Sequence, residues 1–452
     1  MIRGYPARAS VTPGELLALH VSTDAARFRV WFYRWWDGAE LMSRSEWQAG
    51  CFAPARGADE DWHWPRYEFT IPLGWPSSVY FAYLEEEGGA SFDIALTSAA
   101  ALFVVRGRGG ADVLYKIPLA TFHAYNYSGG GCFYMNPPRS RSPPGARVSL
   151  LRPGGGIGGE TWGAADYYDE RSARQTFAHW DAPFIRWLAG EGYRVDFCLD
   201  SDIHHDAAQL ARGYRLLLSV GHDEYWSEDA RDHVENFIGS GGNVAFFAAN
   251  VCWWRIHYVD EGSAIVCHQG GPYGALDHWW PVTGVSRPED ALAGVSYRHG
   301  GGWWDGPRST QGYVVQQADH WVFAGTGLEN GDVFGAESSP PLVGYECDGA
   351  QLACMDGSDG GARLAAQASR NGTPASFVLL AASILGEGWQ ELPVRSGLAA
   401  REGMHAATMG IYARTGTVFT AGTTDWAQVL ATGHDTVVER ITRNVLGRLR
   451  ML

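Results

Sequence analysis

The sequence predicts a chain that joins an all-β unit to an α/β unit. An immunoglobulin-like β-sandwich is expected over residues 1–106, and an α/β domain with a largely parallel central sheet and added β-strands over 111–452. Three observations predict this. Short, partly alternating apolar runs fill the N-terminal part without helical period. A glycine-rich break, RGRGG, occupies 106–110. Beyond it, apolar runs of strand length alternate with helix-period segments, the signature of crossover connections.

In the first part, strands are expected at residues 16–21, 27–33, 67–71, 79–84 and 102–105, with Phe28, Val30 and Phe32 on one face of the second. Several strands at such spacing, punctuated by Gly, Pro and Ser, give the sandwich. After the break, 112–121 reads as a strand, and the Gly/Pro-rich stretch 128–163 as a long loop of functional kind. A helix is expected at 184–189, a strand at 193–199, a short helix at 207–211, an apolar strand at 214–220, a helix at 227–238 and another apolar strand at 243–248. From Gly294 onward the pattern returns to strands, at 321–324, 342–345, 377–382, 409–412 and 417–420. The end closes with a helix over 436–449, where Val437, Ile441, Val445 and Leu449 recur at intervals of four.

The 452 residues carry 35 basic and 50 acidic side chains, a net charge of −15. That balance argues against nucleic acid or an anionic membrane as the partner, because both require a basic face. Lys116 is the only lysine, and no GxxxxGK[ST] phosphate loop is present, so Schiff-base and P-loop chemistry are disfavoured. The seven cysteines are scattered without a CxxC pair, which reads as reduced thiols. The N-terminal residues lack the apolar run of a signal peptide, and no apolar window is long enough to cross a bilayer. A cytoplasmic protein acting on a small molecule is therefore expected, with a homo-oligomer left open. The excess is aromatic, with 20 Trp, 20 Tyr and 19 Phe, beside 58 Gly.

The sharpest motif is GHDEYWS at 221–227, between an apolar strand and a helix that Ser227 can cap and Glu228 and Asp229 favour. Ligands bind at the carboxyl ends of strands in open parallel sheets, and His222, Asp223, Glu224 and Tyr225 fall at such an end. A solvated, capped turn is the plain alternative. The segment 200–206, DSDIHHD, ends another strand and reads equally as a capped turn. Three weaker groups lie at 121–131 (with Tyr125 and Asn126 at a strand end), at 296–304 (with Tyr297 and His299) and at 344–348 (with Glu346). The GxGxxG at 154–159 follows a proline and leads into no apolar helix, so a dinucleotide site fails on context. No HExxH and no zinc-type Cys/His spacing exists, and Cys252 reads as packing. A phenolate is a hard oxygen ligand for a trivalent metal, and a neighbouring Glu or His could handle protons.

The elbow at 221–227 is followed by GGNVAFF at 241–247 and NVCWWR at 250–255. With these go AYN at 124–126, GTGL at 325–328, GDVFG at 331–335 and AGTTDW at 421–426. This ordered set resembles the C-terminal domain of the N,N-dimethylformamidase large subunit. The resemblance implies an amidotransferase-like α/β topology, a mononuclear iron held by two tyrosines and a glutamate, and hydrolysis of a small N-substituted amide. Tyr225 matches an iron tyrosine, and the second is left between Tyr125 and Tyr297. Glu346 resembles a family glutamate that handles protons. Glu346 or Glu224 is then the expected base and His222 orients water or substrate, while Asn126, His299, Asn250 and Trp254 line the substrate pocket. The competing expectation is an iron-free carbohydrate-binding or sugar-processing protein, with the pairs at 253–254, 279–280 and 303–304 stacking on sugar rings, or a non-catalytic family member.

Overall fold

The structure is a computed structural model. It describes every residue except 88–92, 94–97, 138–145, 164, 170–171, 270–276, 280–286, 305, 309–310, 356–360, 387–388, 390–403 and 452. Part of the expected loop at 128–163, and Trp280, therefore lie outside the described residues. The chain packs as two compact units, Met1–Arg212 with Ile256–His268, and Gly213–Arg255 with Gln269–Leu452.

In the first unit, β1 (Arg3–Pro6), β2 (Leu16–Ser22), β3 (Arg27–Trp35), β4 (Ala39–Arg44), β5 (Arg66–Thr70), β6 (Ser78–Glu86) and β7 (Ala100–Val105) build two sheets. One has the order β1-β2-β5 and the other β7-β6-β3-β4, with the short strand Ser10–Val11 beside β7. Their inner faces share a core that includes Leu17, Leu19 and Val21 of β2, Val30 and Phe32 of β3, Leu84 of β6 and Phe103 of β7. This is the two-sheet sandwich that the alternation predicts, and Phe28, Val30 and Phe32 are the buried face of β3. On the other face, the Arg29 guanidinium lies 4.8 Å from the Trp31 ring and 4.6 Å from the Trp47 ring.

The same unit continues with β8 (Val113–Ile117), α1 (Leu119–Tyr125), α2 (Phe177–Gly190), β9 (Val195–Leu199) and α3 (Asp200–His205), and β8 and β9 pair in parallel. The strand expected over 112–121 ends at Ile117, and its second half is helical. Pro118 has no N–H to give a ladder, and Asp200 Oδ2 accepts the Ala120 N–H at 2.7 Å, satisfying the first turn of α1 from far along the chain. Tyr125 thus closes a helix rather than a strand.

In the second unit, β10 (Leu216–His222) and β11 (Asn243–Ala249) pair in parallel and are joined by α4 (Glu228–Gly239). The predicted cap is present: Ser227 Oγ accepts the Ala230 N–H at 3.3 Å, and Glu228 and Asp229 occupy the first turn. Further strands are β12 (Ser296–Gly302), β13 (Tyr313–Val315), β14 (Glu346–Gly349), β15 (Val378–Ile384), β16 (Ala406–Ala413) and β17 (Thr417–Thr420). β17 pairs with β11 in parallel, but β16, β15 and β13 follow in antiparallel pairings. The expected largely parallel sheet is thus only partly parallel in this unit; β16 turns back into β17 through residues 414–416 alone, a connection short enough only for antiparallel neighbours.

Two further expectations are corrected. Residues 321–324 hold a 3₁₀ turn, Trp321–Phe323, and 342–345 precede a strand that begins only at Glu346. The unit ends in α5 (Trp426–Thr432) and α6 (Thr436–Leu449), with Asp435 capping Val437 and Val438. Val438, Ile441, Val445 and Leu449 form the buried stripe of α6. Asn243 fixes the far end, donating to the Leu449 carbonyl at 2.8 Å and accepting the Thr417 N–H at 2.9 Å. No helix among the described residues is long and apolar enough to cross a membrane.

Truncating that stripe leaves a cavity against the sheet. Ile441→Ala is expected to lower stability by about 2–5 kcal/mol, and Arg440→Ala, on the exposed face, by no more than about 0.5 kcal/mol. Urea unfolding of the two variants beside the parent checks this difference.

Candidate active site

The site of the second unit starts from the end of β10. Gly221 has φ of 72°, in the left-handed region open to glycine, and this turns the chain so that 222–224 leave the strand as an elbow. The elbow is pinned by its neighbours. Ser219 Oγ donates to Asp223 Oδ2 at 2.5 Å, and Trp226 Nε1 donates to the Asp223 carbonyl at 3.0 Å. From the strap after β11, the N–H groups of Cys252 and Trp254 donate to the carbonyls of Asp223 and Glu224, each at 2.9 Å. Asn250 and Cys252 hold φ of 52° and 56°, left-handed values that non-glycine residues adopt only when the surroundings impose them.

What imposes the bend at Asn250 is Asp348. Its two carboxylate oxygens accept the N–H groups of Asn250 at 2.9 Å and Val251 at 3.2 Å. Asp348 and Glu346 are two residues apart on β14 and share one face. The strand is held in turn by the 421–425 turn. Thr424 Oγ1 accepts the Glu346 N–H at 3.2 Å, the Thr424 N–H donates to the Glu346 carbonyl at 3.1 Å, and Asp425 Oδ2 accepts the Tyr345 N–H at 2.7 Å. Arg308 closes on Asp425 at 2.7 Å, with both side chains fully buried.

These elements bring four predicted residues together. His222 Nε2 lies 2.7 Å from Glu346 Oε2 and 3.5 Å from Glu224 Oε2. Asn250 Nδ2 donates to Glu346 Oε2 at 3.1 Å and stands 3.2 Å from His222 Nε2. Trp304 Nε1 donates to Glu346 Oε1 at 3.1 Å. His222, Glu224, Glu346 and Asn250 are all buried.

Burial pulls the His222 pKa down, but the charge and hydrogen bond of Glu346, then Glu224 and Asp223, outweigh it and hold the imidazole above its ordinary 6.5. Burial pushes Glu346 up, and His222, with the Asn250 and Trp304 donors, more than reverses this. Each partner of the pair thus favours the ionised form of the other. Asp223 and Glu224 add two buried carboxylates, and no arginine or lysine ranks among the main influences on His222 or Glu346. One imidazole among three buried acidic side chains gathers hard oxygen donors in one place. That donor set fits a hard cation.

Other predicted residues are placed differently. The Tyr225 hydroxyl accepts from Gln269 Nε2 at 2.5 Å. Tyr297, on β12, has its hydroxyl close to Gly302: a Cβ there would meet it at 2.8 Å and Trp304 Nε1 at 2.5 Å, so the hydroxyl and the indole that serves Glu346 converge. His299 is half-buried, further along β12. Trp254 stacks on His278 with ring centres 4.0 Å apart.

Tyr125 and Asn126 belong to the first unit. Tyr125 stacks on Tyr134 at 4.5 Å. Asn126 ties its own loop, donating to the Pro153 carbonyl at 2.9 Å and accepting the Ser128 N–H at 3.0 Å. Cys252 is buried, and burial pushes its thiol up to about 12, the packing role expected. Trp253, Trp254 and Trp279 are buried too, presenting no flat ring to solvent for a sugar.

The family model for the N,N-dimethylformamidase beta subunit-like C-terminal domain matches residues 28–438. The chain belongs to this family. Within it, the chain is 30% identical over 93 residues to the N,N-dimethylformamidase beta subunit of Alcaligenes sp, covering 20% of this chain and 12% of that protein. It is 29% identical over 93 residues to the subunit of the same name from Paracoccus aminophilus, again covering 20% and 12%. The aligned stretch therefore spans about an eighth of those relatives.

The role of Asp348 in this family member is testable through pH. Burial is the main cause that lifts its carboxyl to about 7, against the Val251 and Asn250 N–H groups, which lower it. The folded state thus binds a proton more tightly than the unfolded state, so this group makes stability fall as pH rises from about 4 to about 7, with no further loss above. Asp348→Asn is expected to remove that slope. Parallel urea unfolding at pH 5 and pH 8 should show the difference between parent and variant change by on the order of a few kcal/mol.

Proposed function

We propose that the chain hydrolyses the C–N bond of a small amide, using the His222–Glu346 pair as its proton carrier. The observation that carries this reading is the 2.7 Å contact of His222 Nε2 with Glu346 Oε2 in a buried cluster where Asn250 and Trp304 fix both carboxylate oxygens. Family membership and the names of the two relatives support amide chemistry.

In this reading a water molecule bound beside Glu346 gives up a proton to the pair as its oxygen forms a bond to the amide carbon. The same proton then passes to the amide nitrogen as the C–N bond breaks, releasing an amine and a carboxylic acid, which loses its proton to solvent. Asn250 keeps Glu346 turned toward His222, and Trp304 holds the other carboxylate oxygen in place. Glu224 and the Tyr297 hydroxyl would be oxygen donors to a metal in this reading, supported by the approach of Glu224 to His222 and of Tyr297 toward Trp304, and Tyr225 is the tyrosine that the resemblance assigns to the metal. Iron held by such donors would supply Lewis-acid stabilisation to the carbonyl oxygen.

Protein produced with iron supplied is expected to retain the metal, show a phenolate-to-iron absorption band and release amine from N-substituted formamides. Glu346→Gln should keep the iron and lose about 100-fold or more in kcat. Iron-free parent protein without amide turnover would refute the proposal. Comparison of Tyr297→Phe with Tyr225→Phe then assigns the band, which is expected to vanish in one of them.

A further inference from the structure

We propose that the first unit carries a binding site for a small aliphatic carboxylate, in a cavity walled by segment 6–10, the loop at 150–155 and the start of α3. The inference stands apart from the proposed hydrolysis, since every lining residue belongs to the first unit and the His222–Glu346 pair belongs to the second.

The cavity encloses about 350 Å³, a volume suited to a small organic molecule. Its floor holds Arg152, fully buried, whose N–H groups donate to backbone carbonyls only. The acceptors are Ser149 at 2.9 Å, Asn126 at 2.9 Å, Ser128 at 2.7 Å and His123 at 3.2 Å. No carboxylate pairs with it among the described residues. Carbonyl dipoles solvate a guanidinium but do not neutralise it, so burial acts against the cation and brings its pKa down to about 9.

Beside it stands His123, buried, with its Nδ1 unpartnered among the described residues and its Nε2 against Gly155. Gly155 has φ of 77°, and a Cβ there would lie 2.5 Å from that nitrogen. Burial first, then the Arg152 charge, holds the imidazole down to about 3, so the ring is neutral and can donate an N–H.

At the mouth, Arg8 is exposed and makes no hydrogen bond or ion pair among the described residues. The cavity's other charges are already spent or solvated. Arg106 pairs with Asp202 at 3.3 Å, and Asp202 also accepts Ser10 Oγ and the Leu199 N–H, each at 2.8 Å. Glu261 is exposed to water at the rim. With Arg8 and Glu261 counted alike, three arginines (Arg8, Arg106 and Arg152) face two acids (Asp202 and Glu261), so the unbalanced charge is positive, and an anion is the ligand that answers it. Leu102, Leu119, Leu150 and Leu199 supply apolar wall, which favours a carboxylate with a short hydrocarbon chain over an all-oxygen anion such as phosphate.

The test uses the full chain, with propionate as the probe and the neutral propionamide as its control, in calorimetric titrations at constant ionic strength. Propionate is expected to bind in about the millimolar range and propionamide not to bind there. Arg8→Gln, an exposed substitution that leaves the fold intact by circular dichroism, should weaken propionate at least about fivefold. Glu346→Gln should leave it unchanged. Equal binding of both probes, affinity unaffected by Arg8→Gln, or affinity lost in Glu346→Gln would overturn the assignment.

Discussion

The contact between His222 and Glu346 constrains most of the second unit. An ion pair taken out of water is tolerated only when its remaining lone pairs and N–H groups meet partners, because each lost hydration bond must be replaced within the protein. Here the replacement is layered. Asn250 and Trp304 satisfy Glu346 directly. Asp348 holds the backbone bend that aims Asn250, and the 421–425 turn with Arg308 and Asp425 holds the strand that carries both carboxylates. The left-handed backbone at Asn250 and Cys252 is the conformational strain associated with this arrangement.

The two units handle buried charge in opposite senses. Around His222 the acidic side chains of Glu224, Glu346 and Asp223 gather oxygen donors, a setting for a cation. Around Arg152 there is a guanidinium solvated by carbonyls alone, a setting for an anion. A net charge of −15 describes the whole chain but neither interior. The aromatic excess is likewise mostly interior. Trp62, Trp180, Trp279 and Trp426 are among the largest fully buried side chains, and Trp31 and Trp47 carry guanidinium groups on the sandwich face.

Local signals were legible where one stretch of chain satisfies its own requirements. The alternation at Phe28, Val30 and Phe32 marked a sandwich strand, Ser227 marked the start of α4, and the stripe around Ile441 and Val445 marked α6. The helix after Pro118 was not legible, since its first turn is capped by Asp200, which lies in the chain beyond α2. The strand at Glu346 read four residues too early, because its register is fixed by β12 and the 421–425 turn rather than by its own apolar run. In the site, His222, Glu224, Asn250 and Glu346 were recognisable as chemistry-bearing residues. The grip of Asp348 was not, although its spacing from Glu346 on one strand was the available signal.

The sequence by itself determined the family and the elbow at 221–227, and it marked the alternating strands of the sandwich. Those properties are carried by residue types in fixed local order, which the chain retains before it folds. The tertiary structure decided which carboxylate meets the imidazole, which tyrosine hydroxyl approaches Trp304 and which is held by Gln269. It also decided that Arg152 lies buried against carbonyls, with no carboxylate beside it among the described residues. These outcomes depend on hydrogen bonds and burial between segments distant in sequence, and pKa values, charge balance and cavity walls exist only once those segments have packed.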